Sequence, residues 1–193
     1  MLGLLGAAAP AHAAYVIDIT QSGSDVVAAG SGTWHFQPLS FQGFAMPLQV
    51  GINPAAGYFG AGSIDTYGDY YGPVSGPTSF GSGGFTAASS TSGSSAGVSG
   101  ATGQIIIPGG YADSAATVAG LTVWNNATIA SLGLNPGTYV WNWADDSLTL
   151  NIQGGGAGAV PEPSTWAFML TGFAFVGLAM RRRSAVRTTV RYA

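Results

Sequence analysis

Asp65 and Asp69, with Tyr67, Tyr70 and Tyr71 set around Gly68 and Gly72, form the densest polar and aromatic cluster in the sequence. Aromatic faces stack on the apolar faces of sugar rings while carboxylates accept hydrogen bonds from hydroxyls, so Tyr67, Asp69, Tyr70 and Tyr71 are candidate glycan contacts. The plainer reading is a Tyr-rich turn whose rings cover a sheet edge, because tyrosine suits strands in any case. A glycosidase needs two carboxylates across a cleft, and the spacing does not bring Asp65 to Asp145 or Asp146. No D-x-D-x-D-G loop marks a calcium site. His35 lies between Trp34 and Phe36 in an apparent strand with no acid near it, which reads as a partly buried structural histidine rather than a triad base. The glycine-rich Phe80–Phe85 lacks the Lys-Ser/Thr of a phosphate loop, and Asn126-Ala127-Thr128 matches a glycosylation triplet by chance. These residues give no catalytic, cofactor-binding or metal site, and the chain reads as a non-enzyme.

Charge narrows the partners. Only 7% of the 193 residues are charged, against roughly 25% in ordinary soluble proteins. All five basic residues are arginines between Arg181 and Arg191, so everything before them carries acid alone. A nucleic-acid binder needs a basic footprint, which excludes that class. The absence of cysteine excludes disulfides, thiol catalysis and Cys-ligated metals.

Both ends read as addresses. Residues 1–13 combine an apolar stretch with Ala11-His12-Ala13, the small-residue pattern of signal-peptidase cleavage, and read as the remnant of a signal peptide whose removal leaves Ala14 first. At the other end Pro161-Glu162-Pro163 precedes the apolar run Trp166–Met180 and then Arg181, Arg182 and Arg183. Fifteen helical residues span about 22 Å against a hydrocarbon core of about 30 Å. Snorkelling arginines at one end and Trp166 at the other suit a transient single-pass helix over 166–180 in a thin bilayer. The arginine cluster places the tail 184–193 in the cytoplasm and the body outside. Two prolines keep Pro-Glu-Pro extended and out of the helix, in the form that proteases and transpeptidases bind, and the glycine-rich linker 154–160 gives them reach.

Pro-Glu-Pro, a short apolar helix and an arginine cluster together resemble the PEP-CTERM sorting signal of Gram-negative bacteria. The resemblance covers 161–183 and implies that Pro161, Glu162 and Pro163 are the recognition motif and Arg181–Arg183 the basic stop. It also implies recognition by exosortase, an integral membrane transpeptidase, and export in bacteria that make extracellular polysaccharide. Similar tails occur on ice-binding proteins.

Residues 14–153 must then be the extracellular domain. Tyr15, Ile17 and Ile19 alternate with polar or smaller neighbours, as do Tyr139, Trp141 and Trp143, and Leu148, Leu150 and Ile152. The last two runs, joined by Ala144-Asp145-Asp146, predict a hairpin over Thr138–Ile152. Further strands are predicted over Asp25–Ala29, Ser31–Phe36, Pro47–Ile52, Gln104–Ile107 and Leu121–Ile129, which makes the fold all-β, a β-sandwich-like domain of short antiparallel strands. The Ser/Gly-rich Ser89–Gly97 reads as a loop or flexible insertion. Phe80–Phe85 and Ala130–Val140-Trp141 resemble stretches of PEP-CTERM proteins of unassigned function. The expectation is an exported, non-enzymatic surface or matrix protein associated with exopolysaccharide or biofilm. The alternatives are a glycan-binding adhesin, an ice-binding protein, for which regular Thr-x-Thr ranks are missing, and a secreted hydrolase.

Overall fold

Period-two alternation with inward-facing large side chains builds two sheets. The computed structural model describes residues 15–37, 39–45, 49–62, 68–113, 117–144, 146–154 and 191. The chain forms β1 (Tyr15–Ser22), β2 (Asp25–Gly32), β3 (Ser40–Ala45), β4 (Gly51–Asn53) and, after a 3-10 turn at Pro54–Ala56, β5 (Tyr58–Ala61). Then come β6 (Gly68–Gly72), β7 (Thr86–Ala87), β8 (Ser90–Gly93), β9 (Ala96–Ser99) and β10 (Gln104–Pro108). Last are β11 (Val118–Trp124), β12 (Gly137–Trp143) and β13 (Asp146–Ile152). The described residues contain no α-helix, and no helix among them is long and apolar enough to cross a membrane.

One sheet has the order β12-β13-β1-β2-β11-β8 and the other β3-β6-β10-β9-β5-β4-β7. Ile17, Ile19, Trp124, Trp141, Leu148 and Leu150 of the first meet Phe59, Val98, Ile105 and Ile107 of the second in one buried cluster. At about 1.5–3 kcal/mol for each large side chain removed from water, this common core is what holds two short-stranded sheets together. The hairpin predicted at 138–152 is present as β12 and β13, with Trp143 opposite Asp146.

Several expectations change. One pairing is not antiparallel: β1 runs parallel to β13, with Tyr15 opposite Leu148 and Ile19 opposite Ile152. The strands predicted at Asp25–Ala29 and Ser31–Phe36 are one strand that stops at Gly32. Gly30 does not break it; glycine is needed there because a Cβ would lie 2.6 Å from the Tyr15 hydroxyl. Beyond Trp124 the chain turns, with Asn126 left-handed at φ 53°, so β11 does not reach Ile129. Of the strand predicted at Pro47–Ile52, residues 47 and 48 lie outside the described residues, Gln49 and Val50 are not strand, and Gly51 and Ile52 open β4.

Ser89–Gly97 is not a flexible insertion. It supplies β8 at the edge of the six-stranded sheet, against β11, and then β9 between β10 and β5 in the seven-stranded one. Its small residues permit backbones to close on each other: a Cβ on Gly97 would collide with the Phe59 carbonyl, and one on Gly93 with that of Ala119. Thr91 Oγ1 accepts the Gly62 N–H at 3.2 Å and lies 3.0 Å from the Gly62 carbonyl, which ties the two sheets at this crossing.

Candidate functional site

β3 is an edge strand, paired only to β6 among the described strands. Its register slips between Phe41 and Gly43, and this bulge gives Phe41 and Phe44, three residues apart, the same face. Both stand at the surface, 47% and 65% exposed, as an edge-to-face pair with ring centroids 5.0 Å apart. Cross-strand partners share a face, so Phe44 sits beside Asp69 and Phe41 beside Tyr71. The rings continue inward: Phe41 to Tyr71 at 5.8 Å, Tyr71 to Phe36 at 4.5 Å and Phe36 to Tyr111 at 6.4 Å.

The pleat divides the candidate glycan contacts. Asp69 and Tyr71 face the inter-sheet core with Ile107 and Ile105. Tyr70 faces the other way and packs with Ile106, Val50 and Tyr58. Burial pushes the Tyr70 phenol above its usual range. Burial first, and then the Asp69 carboxylate, does the same for Tyr71. Asp65, Tyr67 and Asp145 lie outside the described residues.

Asp69 is 92% buried by its 8% exposure; its Oδ2 accepts the Gly110 N–H at 3.2 Å, while Oδ1 has no hydrogen-bond partner. The other described carboxylates bond backbone N–H groups or polar side chains. Asp25 accepts the Asn126 N–H at 2.9 Å, and Asp18 accepts the Asn151 side-chain amide at 2.9 Å.

His35 does have an acid beside it. Past the end of β2, its Nδ1 meets Asp113 Oδ2 at 2.8 Å. The other oxygen of Asp113 accepts the N–H groups of Phe36 at 2.6 Å and Gln37 at 3.3 Å. Asp146 accepts the His35 N–H at 2.9 Å, and the Trp143 indole donates to the His35 carbonyl at 2.7 Å. This arrangement straps residues 35–37 to the β12–β13 turn and to the loop after β10. Asp113, 78 positions away, escaped sequence reasoning because nothing local marks the pairing. Phe41 and Phe44 escaped because the bulge hides their common face behind a spacing of three.

Two further sequence features resolve structurally. Phe80–Phe85 lies along residues 132–134: Ser82 N–H donates to Gly133 O at 3.0 Å, and a Cβ on Gly81 or Gly83 would strike the Gly133 or Leu132 carbonyl. These glycines are there for backbone contact. An open groove of about 360 Å³ beside Gln21, Ile129 and Pro136 offers little polar recognition, since the Gln21 amide is already bonded to Gly23, Asp25, Ala127 and Ile129. Among the described residues no three His, Cys, Asp or Glu side chains converge on a metal position.

The chain divides between Gly155 and Gly156 into two compact units. Pro161-Glu162-Pro163, the apolar stretch 166–180 and Arg181–Arg183 fall in the second, outside the described residues. Residues 159–183 match the family model for the PEP-CTERM protein-sorting motif. The PEP-CTERM motif implies processing by exosortase, a membrane enzyme, and with it export and sorting to the cell surface. No curated protein and no solved structure matches the chain.

Proposed function

We propose that this is an exported, non-enzymatic surface or extracellular-matrix protein, released or attached after exosortase removes its helix, and associated with exopolysaccharide. The sorting motif at 159–183 carries the reading. Two features of the body support it. Its first strand begins at Tyr15, just beyond Ala11-His12-Ala13, and its last ends at Ile152, ahead of Pro161, so both cuts spare every described strand. Among its described carboxylates, those of Asp25, Asp113 and Asp146 anchor loops and turns by accepting backbone N–H groups.

Intact-mass analysis of protein recovered from the native host's surface or medium tests the proposal. The expected species starts at Ala14, ends near Pro163 and has lost all five arginines. Its net charge is −7 or −8, according to whether Glu162 stays. Full-length protein that persists in the presence of active exosortase refutes it.

The exposed Phe41–Phe44 pair favours a second reading, a binding module whose rings face a glycan. A glycan array whose signal falls with F41A and F44A supports this reading, and a flat array removes it.

A further inference from the structure

Asp69 stands on β6 between two apolar cross-strand neighbours, Ile107 on β10 and Phe44 on β3, with Tyr71 two positions along the same face. A carboxylate in such a frame is costly unless it is paired, and only one of its oxygens is satisfied. The chain cannot supply the missing cation from its body, because no lysine or arginine precedes Arg181. Around the same carboxylate lie aromatic rings, two of them at the surface, and aromatic faces attract organic cations.

Resting on the reading of this edge as a binding surface, we propose that Asp69, Phe41, Phe44 and Tyr71 form a site for an organic ammonium group, in which Asp69 Oδ1 takes the charge and the rings its flanks. A neutral sugar would leave that oxygen with a hydroxyl at best, and an anionic one would be repelled by a body without basic side chains. The ammonium source is either an amino sugar or a small alkylammonium ion. The ligand must enter at the β3 edge, where Phe41 and Phe44 are exposed, because Asp69 itself is buried.

The test is calorimetric titration of the full chain in detergent with three probes: a glucosamine oligosaccharide, its N-acetylated counterpart and tetramethylammonium chloride. Saturable binding of the glucosamine oligosaccharide, of tetramethylammonium or of both is expected, and whichever binds identifies the source. Asp69→Asn should weaken binding at least about tenfold while its amide oxygen still accepts the Gly110 N–H. Phe44→Ala, a change at a side chain 65% exposed, should weaken it several-fold and decides the matter if Asp69→Asn does not fold. Asp18→Asn, the same charge change on the outer face of the other sheet, should leave affinity unchanged. No saturable binding of either ammonium probe, or equal loss in the Asp18 and Asp69 variants, overturns the proposal. Binding of the N-acetylated oligosaccharide alone also overturns it while leaving a glycan-binding module standing.

Discussion

One side chain makes three of the contacts in the strap at residues 35–37. Asp113 holds a histidine and two backbone N–H groups; a hydrogen bond to a charged acceptor contributes about 1.5–3 kcal/mol when buried, and less at a partly exposed site such as this. Asp113→Ala should therefore lower stability by roughly 2 kcal/mol, read as a fall in the urea midpoint with little change in slope. A midpoint equal to that of the parent would mean that the Asp146 and Trp143 hydrogen bonds to His35, with the buried Trp34 and Phe36, hold the strap without Asp113. The tyrosines set the alkaline limit. Burial pushes the Tyr15, Tyr58, Tyr70 and Tyr71 phenols above their ordinary value of 10.0. Their raised native pKa means that the unfolded chain loses these protons first as pH climbs. Stability is thus intact below about pH 10 and declines above it. Titration of phenolate absorbance should show a late, cooperative rise that coincides with loss of near-ultraviolet circular dichroism. Independent ionisation of these groups near pH 10 in a folded domain would contradict this.

At the level of strands, the alternating runs of β1, β12 and β13 were legible because their large inward residues recur every second position. β8 and β9 were not. Composition registers Ser and Gly as poor core formers, but it cannot register that Gly97 lies on the Phe59–Gly60 backbone, where smallness is the requirement. Nor does a local window reveal the bulge that aligns Phe41 with Phe44, or the 78-residue separation of His35 and Asp113. Of the candidate site, Asp69 and Tyr71 were legible as a cluster, whereas its exposed half on β3 was not. Gly97→Ala should accordingly cost about 1–3 kcal/mol by forcing strands apart. Gly84→Ala, where a Cβ meets nothing within 4 Å, should stay within about 0.5 kcal/mol of the parent. Thermal melts of the pair check this, and equal melting temperatures would show that β9 gives way freely.

Across the whole molecule, the strand that opens the body and the strand that closes it are neighbours, so the six-stranded sheet cannot be completed until residue 152 is available. A chain truncated after Gly154 keeps every strand and should fold, whereas one truncated before Asp146 should not; identical circular dichroism of both would deny β13 its central place. The parallel pairing has a mechanical corollary. Tyr15 and Ile152 lie at opposite ends of adjacent strands, so tension applied through them loads the whole ladder in shear, with its bonds sharing the strain. Gly137 and Ile152 lie opposite each other at one end of the β12–β13 ladder, and pulling there peels bonds apart singly. A tether at the C-terminal side of this domain would meet the stiffer of these two responses whenever the opposing grip is at its N-terminal side.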